Sequence, residues 1–178
     1  LGKTWTYTFD DAGNVLTVTD PLSNVWTYTY TGFNDVETVT DPLSNVTEYT
    51  YDVSGNLTTI TDAASNDTVF DVGAHGLVDS ITDPLGHETS FTYDGLGNRT
   101  AVTNALSKTW SYDFDAAGNV IAVTDPLSHT STFAMSNANL LLSSTDGEGN
   151  TTSYSYDANG NVLTVEDALT NVTSYDYN

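Results

Sequence analysis

The sequence predicts an all-β protein made of one β-hairpin repeated along the chain, and three observations carry that prediction. An aromatic column recurs every 21 residues without a gap, at Tyr7, Tyr28, Tyr49, Phe70, Phe91, Tyr112, Phe133, Tyr154 and Tyr175. Around it the residues alternate polar and apolar with a period of two, as a half-covered strand requires. Turn residues fall at two constant places in each period, an acid column from Asp20 to Asp167 and a glycine column from Gly13 to Gly160, with Asn34 and Asn139 in two glycine places. Register holds from end to end with no insertion or deletion, and no segment shows helical periodicity.

Residues 4–24 serve as the type unit. Thr4 to Phe9 reads T-W-T-Y-T-F, so Trp5, Tyr7 and Phe9 share one face of a strand and Thr6 and Thr8 the other. A second apolar column two residues past the first, from Phe9 through Tyr30 and Tyr51 to Tyr177, strengthens the aromatic face, which is predicted to be the buried one. Asp10-Asp11-Ala12-Gly13-Asn14 follows. Its Asp can bond the backbone two residues on and its Gly can take a positive φ, which suits a hairpin loop of four or five residues. Asn tolerates that conformation best among the other residues, which explains Asn34 and Asn139.

Val15 to Thr19 is the return strand. Its apolar columns, headed by Val15 and Val18, are three residues apart. A regular strand would point them to opposite faces, so either a β-bulge lies between them, the favoured reading, or Val15 packs at the turn edge. Asp20-Pro21-Leu22-Ser23-Asn24 then makes a second turn, with Pro pre-setting its φ at a corner. Each repeat is thus one hairpin joined to the next by another tight turn.

The 178 residues hold about 8.5 such units. Two strands per unit at about 4.8 Å spacing make a ribbon roughly 80 Å wide. An open twisted sheet of that many strands curls, so the expected architecture is a ribbon wound into a spiral tube or shell. Residues 1–178 read as one continuous array with no internal boundary. Leu1 and Asn178 fall in mid-repeat columns, and an excerpt of a longer array, or a unit that joins end to end with copies of itself, is expected.

Composition narrows the function. With 24 acids against 3 bases, a net charge of -21, the chain has nothing to neutralise phosphates, so nucleic acid and anionic membrane surfaces are poor partners. A hydrophobic fraction of 38% with 11% aromatics is too high for a disordered acidic tail. No cysteine is present to staple the fold, and no apolar run is long enough for a membrane helix.

Candidate sites follow from the turns. Asp10, Asp20, Asp41, Asp52, Asp62, Asp83, Asp94, Asp115, Asp125 and Asp157 place carboxylates beside backbone carbonyls. Calcium, which takes oxygen ligands, is a candidate there, although Asp at such corners is a routine turn residue and no cofactor is required. Asn45, Asn56, Asn66, Asn98, Asn150 and Asn171 each begin an N-x-[ST] sequon for N-glycosylation. The aromatic columns suit a packed face first and a glycan-stacking platform second. His87 and His129 sit 42 residues apart on equivalent turns and His75 beside another, with no second ligand at metal-binding spacing. No Gly-x-Ser-x-Gly elbow or Ser/His/Asp set stands out, so an enzyme is not expected.

The unit Tyr51-Asp52-Val53-Ser54-Gly55-Asn56-Leu57-Thr58-Thr59-Ile60-Thr61-Asp62 resembles the YD repeat of the RHS proteins, as does Tyr93-Asp94-Gly95-Leu96-Gly97-Asn98 through Val102. The resemblance implies a long hairpin ribbon wound into a hollow shell, which in some members encloses a toxin and in the teneurins serves adhesion. Uniform repeats favour a regular, open-ended winding. The expected function is therefore a structural, extracellular or cell-surface fibre that associates end to end with itself, with glycans or other surface proteins as further partners and no insertion into a membrane. A shell fragment of a secreted toxin and a glycan-binding module are the alternatives.

Overall fold

A computed structural model describes residues 4–177; the mid-repeat positions of Leu1 and Asn178 lie outside them. The chain divides into two compact units, 1–89 and 90–178, and each is an antiparallel up-and-down arrangement of short strands. The first unit holds β1 (Thr6–Phe9), β2 (Val15–Thr19), β3 (Val25–Tyr30), β4 (Val36–Thr40), β5 (Val46–Tyr51), β6 (Leu57–Thr61), β7 (Asp67–Val72) and β8 (Val78–Thr82). The second holds the greater part of β9 (Glu88–Tyr93), then β10 (Arg99–Thr103), β11 (Thr109–Phe114), β12 (Val120–Thr124), β13 (Thr130–Met135), β14 (Leu141–Thr145), β15 (Thr151–Tyr156), β16 (Val162–Glu166) and β17 (Val172–Ser174). No helix occurs among the described residues. The all-β hairpin-repeat class is as the sequence predicts.

The expected bulge is present in every hairpin from β1–β2 to β15–β16. In the pair β1–β2, Thr8 faces Thr17 and Phe9 faces Val15, which leaves Leu16 as the extra residue. The same skip omits Glu37 between Thr29↔Thr38 and Tyr30↔Val36. One extra residue flips the strand's phase. It therefore returns Val15 and Val18, or Val36 and Val39, to the aromatic face despite their odd spacing.

The first connection is shorter than the four- or five-residue loop expected. Asp10 N–H donates to Asn14 O at 2.9 Å and Gly13 N–H to Asp10 O at 3.1 Å, so the loop is three residues, 11–13, with Gly13 left-handed at φ 92°. This is the type I turn closed by a left-handed residue. The second connection is identical: Asp20 N–H donates to Asn24 O, Ser23 N–H to Asp20 O, and Ser23 takes φ 68°. Left-handed serines recur at Ser44, Ser65, Ser107 and Ser128, and Thr170 is held at φ 64°. Two glycines in that column, Gly86 and Gly149, carried the signal.

The aromatic face is not a buried core. Burial alternates as predicted, with Trp26, Tyr28 and Tyr30 half-buried between exposed Val25, Thr27 and Thr29. Yet no described residue is buried. Within each unit the strands form one layer, which leaves each aromatic only its sheet neighbours, so side chains cover one another laterally and stay open from above.

Candidate functional site

The turns absorb the acids. Asp52 is typical: its Oδ1 accepts the backbone N–H groups of Ser54 and Asn56 at 2.8 and 2.9 Å, and its Oδ2 accepts the side-chain amide of Asn56 at 2.9 Å. Asp10, Asp41, Asp62, Asp94, Asp115 and Asp157 make the same three-point clamp with the Asn four residues on, and Asp20 makes it with Asn24. At Asp83 and Asp125 a histidine replaces that Asn, with His87 and His129 Nδ1 each 2.9 Å from the carboxylate. Thr31 and Ser136 fill the place with a hydroxyl that accepts the two N–H groups alone.

Three donors on one carboxylate favour its charged form. The Asn56 side chain, then its backbone N–H, holds the Asp52 carboxyl below the usual carboxylate value, and the Asn partners act likewise on Asp10, Asp41, Asp62, Asp94, Asp115, Asp146, Asp157 and Asp167. At Asp20, partial desolvation is the largest influence and raises the value, but the Asn24 side chain and two backbone donors outweigh it. The backbone N–H of His87 leads at Asp83 and the side chain of His129 at Asp125. Among the described residues no three His, Cys, Asp or Glu side chains gather within reach of one metal ion. The calcium candidates are thus placed one to a turn, each with its oxygens already accepting hydrogen bonds.

The same clamp accounts for the sequons. Asn45, Asn56, Asn66, Asn98, Asn150 and Asn171 all donate their side-chain amide to the preceding turn Asp at 2.7–2.9 Å. A clamping Asn followed by a strand Thr spells N-x-T whatever becomes of it. Sequence reasoning named these asparagines as glycan acceptors and missed their structural task. The signal was available: an Asn, or a His in its place, stands four residues after nearly every turn Asp.

Two further sets of bonds join successive repeats. The hydroxyls of Tyr30, Tyr51 and Tyr156 donate to the carbonyls of Val15, Val36 and Leu141 at 2.6–2.8 Å, fifteen residues back. Between β2 and β3 the paired residues begin at Thr17↔Thr27, so the Val15 carbonyl lies past the end of that ladder and the phenol supplies its partner. Burial pushes the Tyr51 phenol up in pKa, helped by the Asp35 carboxylate and Tyr49. Along the hairpin-turn edge, Asn14 and Asn119 amides donate to Asn34 and Asn139 Oδ1 at 2.9 Å. Asn in the glycine column therefore does more than tolerate a positive φ; it ties two turns together.

The two faces divide the chemistry. On the aromatic face Trp5 stacks on Trp26 with centroids 6.2 Å apart, and the guanidinium of Arg99, the one charged side chain at a ladder position of this face among the described residues, lies 5.6 Å from the centroid of the Phe91 ring. The other face carries threonine pairs such as Thr8–Thr17 and Thr29–Thr38, their hydroxyls 2.7 Å apart. Two equivalent polar clefts, five repeats apart, open beside the turns. One, about 270 Å³, is lined by Glu48, Thr61 and Asp62; the other, about 350 Å³, by Ser153, Glu166 and Asp167. Their glutamates come from opposite members of one cross-strand pair, Glu48↔Thr61 in the first and Ser153↔Glu166 in the second.

Comparison with known proteins agrees with the hairpin repeat. The sequence model of the teneurin YD-shell matches residues 49–177, and that of the RHS repeat matches residues 9–42. Among solved structures, TcdB2-TccC3 with Cdc42 superposes with a TM-score of 0.72 at 15% identity over 90% of this chain, and the Photorhabdus luminescens Tc holotoxin pore with 0.72 at 16% over 94%. TcdB2-TccC3 without its hypervariable C-terminal region gives 0.72 at 15% over 94%. The chain spans 11% of the length of each, and at that identity the likeness is one of fold. No curated protein matches.

Proposed function

Since the chain belongs to the teneurin YD-shell family, we propose that it is a wall segment of a shell. In this reading it is a structural, non-enzymatic ribbon of a secreted or cell-surface protein whose longer parent chain encloses a space. The observation that carries the reading is the pair of identical three-residue turns closed by self-contained clamps. Carboxylates that accept three internal donors serve the wall, leaving its form and surface as its contribution. The fold likeness to TcdB2-TccC3, including the form without its hypervariable C-terminal region, supports a shell over an isolated adhesive module.

A fibre is the second reading, favoured by the unbroken 21-residue register. In it, ribbons continue end to end by strand pairing, calcium bridges the acidic edges, and surface glycans or proteins are the partners. Cryo-electron microscopy of the parent protein, with and without a calcium chelator, separates the two. Closed particles of fixed size with internal density support the shell. Long fibres replace it with the second reading, and their collapse on chelation assigns calcium a part.

A further inference from the structure

We propose that the aromatic face of the sheet is an interface for a second copy of this chain. Three independent features lead there. The first is area. The chain exposes 11855 Å², whereas a compact monomer of its mass exposes about 8,400 Å². The surplus, about 3,500 Å² on one chain, is more than the roughly 1,000–2,500 Å² that each partner gives to an obligate interface. No described residue is buried, so the surplus reflects a layer that lacks its second layer.

The second feature is charge. The chain carries -21, yet no acid occupies a ladder position on the aromatic face. These positions hold residues such as Trp26, Tyr28 and Val39 in the first unit and Trp110, Tyr112 and Val123 in the second. The acids sit in the turns and among the threonines, as Glu48 and Asp113 do. Pairing through the aromatic faces keeps both sets of carboxylates outside. Pairing through the threonine faces would press them together, at a cost that like charges impose.

The third feature is self-complementarity. Rows of aromatics alternate with rows of β-branched residues, Tyr28 opposite Val39 and Tyr49 opposite Ile60, so one face offers both the ridges and the hollows that a copy of itself presents. Two such sheets stack about 10 Å apart with interdigitating side chains. An isologous pair closes as a dimer, and because the face repeats every 21 residues a stagger by whole repeats gives larger assemblies with the same contact.

The test uses the full 178-residue chain, which contains no cysteine. Ser131 and Thr132 are neighbours on opposite faces: Ser131 faces Val123 among the half-buried residues of the aromatic side, while Thr132 is exposed on the other. Ser131→Cys and Thr132→Cys are small changes that leave the ladder intact. Alkylation of each is followed from dilute to concentrated protein, alongside mass by light scattering. The expected result is a mass of twice 19.1 kDa or a ladder of multiples. With it, the alkylation rate at Ser131→Cys falls about tenfold once nine-tenths of the chain is paired, while the rate at Thr132→Cys is unchanged. A monomer at all concentrations overturns the proposal, as does an oligomer that protects Thr132→Cys or neither cysteine. The shell reading fails separately, on the particles formed by the parent protein.

Discussion

Replacing Tyr51 by Phe isolates one bond between repeats. The substitution keeps the ring on the aromatic face and removes only the hydroxyl, whose partner is the Val36 carbonyl at 2.8 Å. Both residues are half-buried, so a carbonyl that loses its donor regains water in part. The expected loss is about 1 kcal/mol, near the mean for a neutral hydrogen bond and below the penalty for a wholly buried orphan. Tyr30 and Tyr156 make the equivalent bond. Tyr156 is remote and its loss adds, but Tyr30 is the cross-strand partner of Val36, so the losses at Tyr30 and Tyr51 are coupled, and the triple Phe variant falls by roughly 2–3 kcal/mol. The column also offers the reverse experiment. Met135 occupies the tyrosine position fifteen residues past Val120, and Phe114 the position fifteen past Arg99. Met135→Tyr and Phe114→Tyr each add a donor where a carbonyl of the same kind lies. Urea denaturation followed by circular dichroism measures all of these, with the slope checked because repeat arrays depart from two-state behaviour. A triple Phe variant as stable as the parent would refute the assignment, and its refutation would be complete if neither added tyrosine raised the midpoint.

Three further expectations concern the turns. Thr170 is a β-branched residue held at φ 64° where the same column elsewhere uses Ser or Gly; Thr170→Gly should raise stability by about 1 kcal/mol, and a lower urea midpoint would contradict the strain. Gly118 lies near Asn98 Oδ1 as Asn139 lies near Asn119, so Gly118→Asn should form the same amide bond and gain about 0.5–1 kcal/mol; a loss would show that the edge ladder does not extend to this turn. The turn carboxylates, Asp10 and Asp52 among them, have folded values depressed below 3.8, so the unfolded chain binds protons first as pH falls. Their contribution is complete above the unfolded value of about 3.9 and is lost as pH drops through the folded values. A denaturation midpoint that is flat from neutral pH and falls only below about pH 4 fits this linkage; a decline beginning near pH 6 would point to other groups.

Much of this molecule was legible in the chain because its determinants are local and repeated. Tyr7 with Thr6 and Thr8 declares a strand and its two faces, and Val15 with Val18 declares a bulge, since two apolar columns three residues apart cannot otherwise share a face. Asp10 and Gly13 declare a turn. The length of that turn was misjudged because Asn14 looks like a loop residue, whereas its backbone already pairs with Asp10. The left-handed serines were legible in principle through Gly86 and Gly149 in their column.

What the chain by itself determined, then, is the hairpin, its register and its 21-residue recurrence, all of which are settled by interactions within one repeat. Only the tertiary structure decided which groups meet between repeats. Tyr51 reaching Val36 and Asn14 reaching Asn34 depend on where neighbouring strands lie, and alternation alone is silent on them. The same holds for depth. A period of two says which side of a strand is apolar, but burial needs a second layer above that side, and this sheet leaves its aromatic columns half-open. Hydrophobic pattern is a property of a strand, whereas a core is a property of two surfaces brought together.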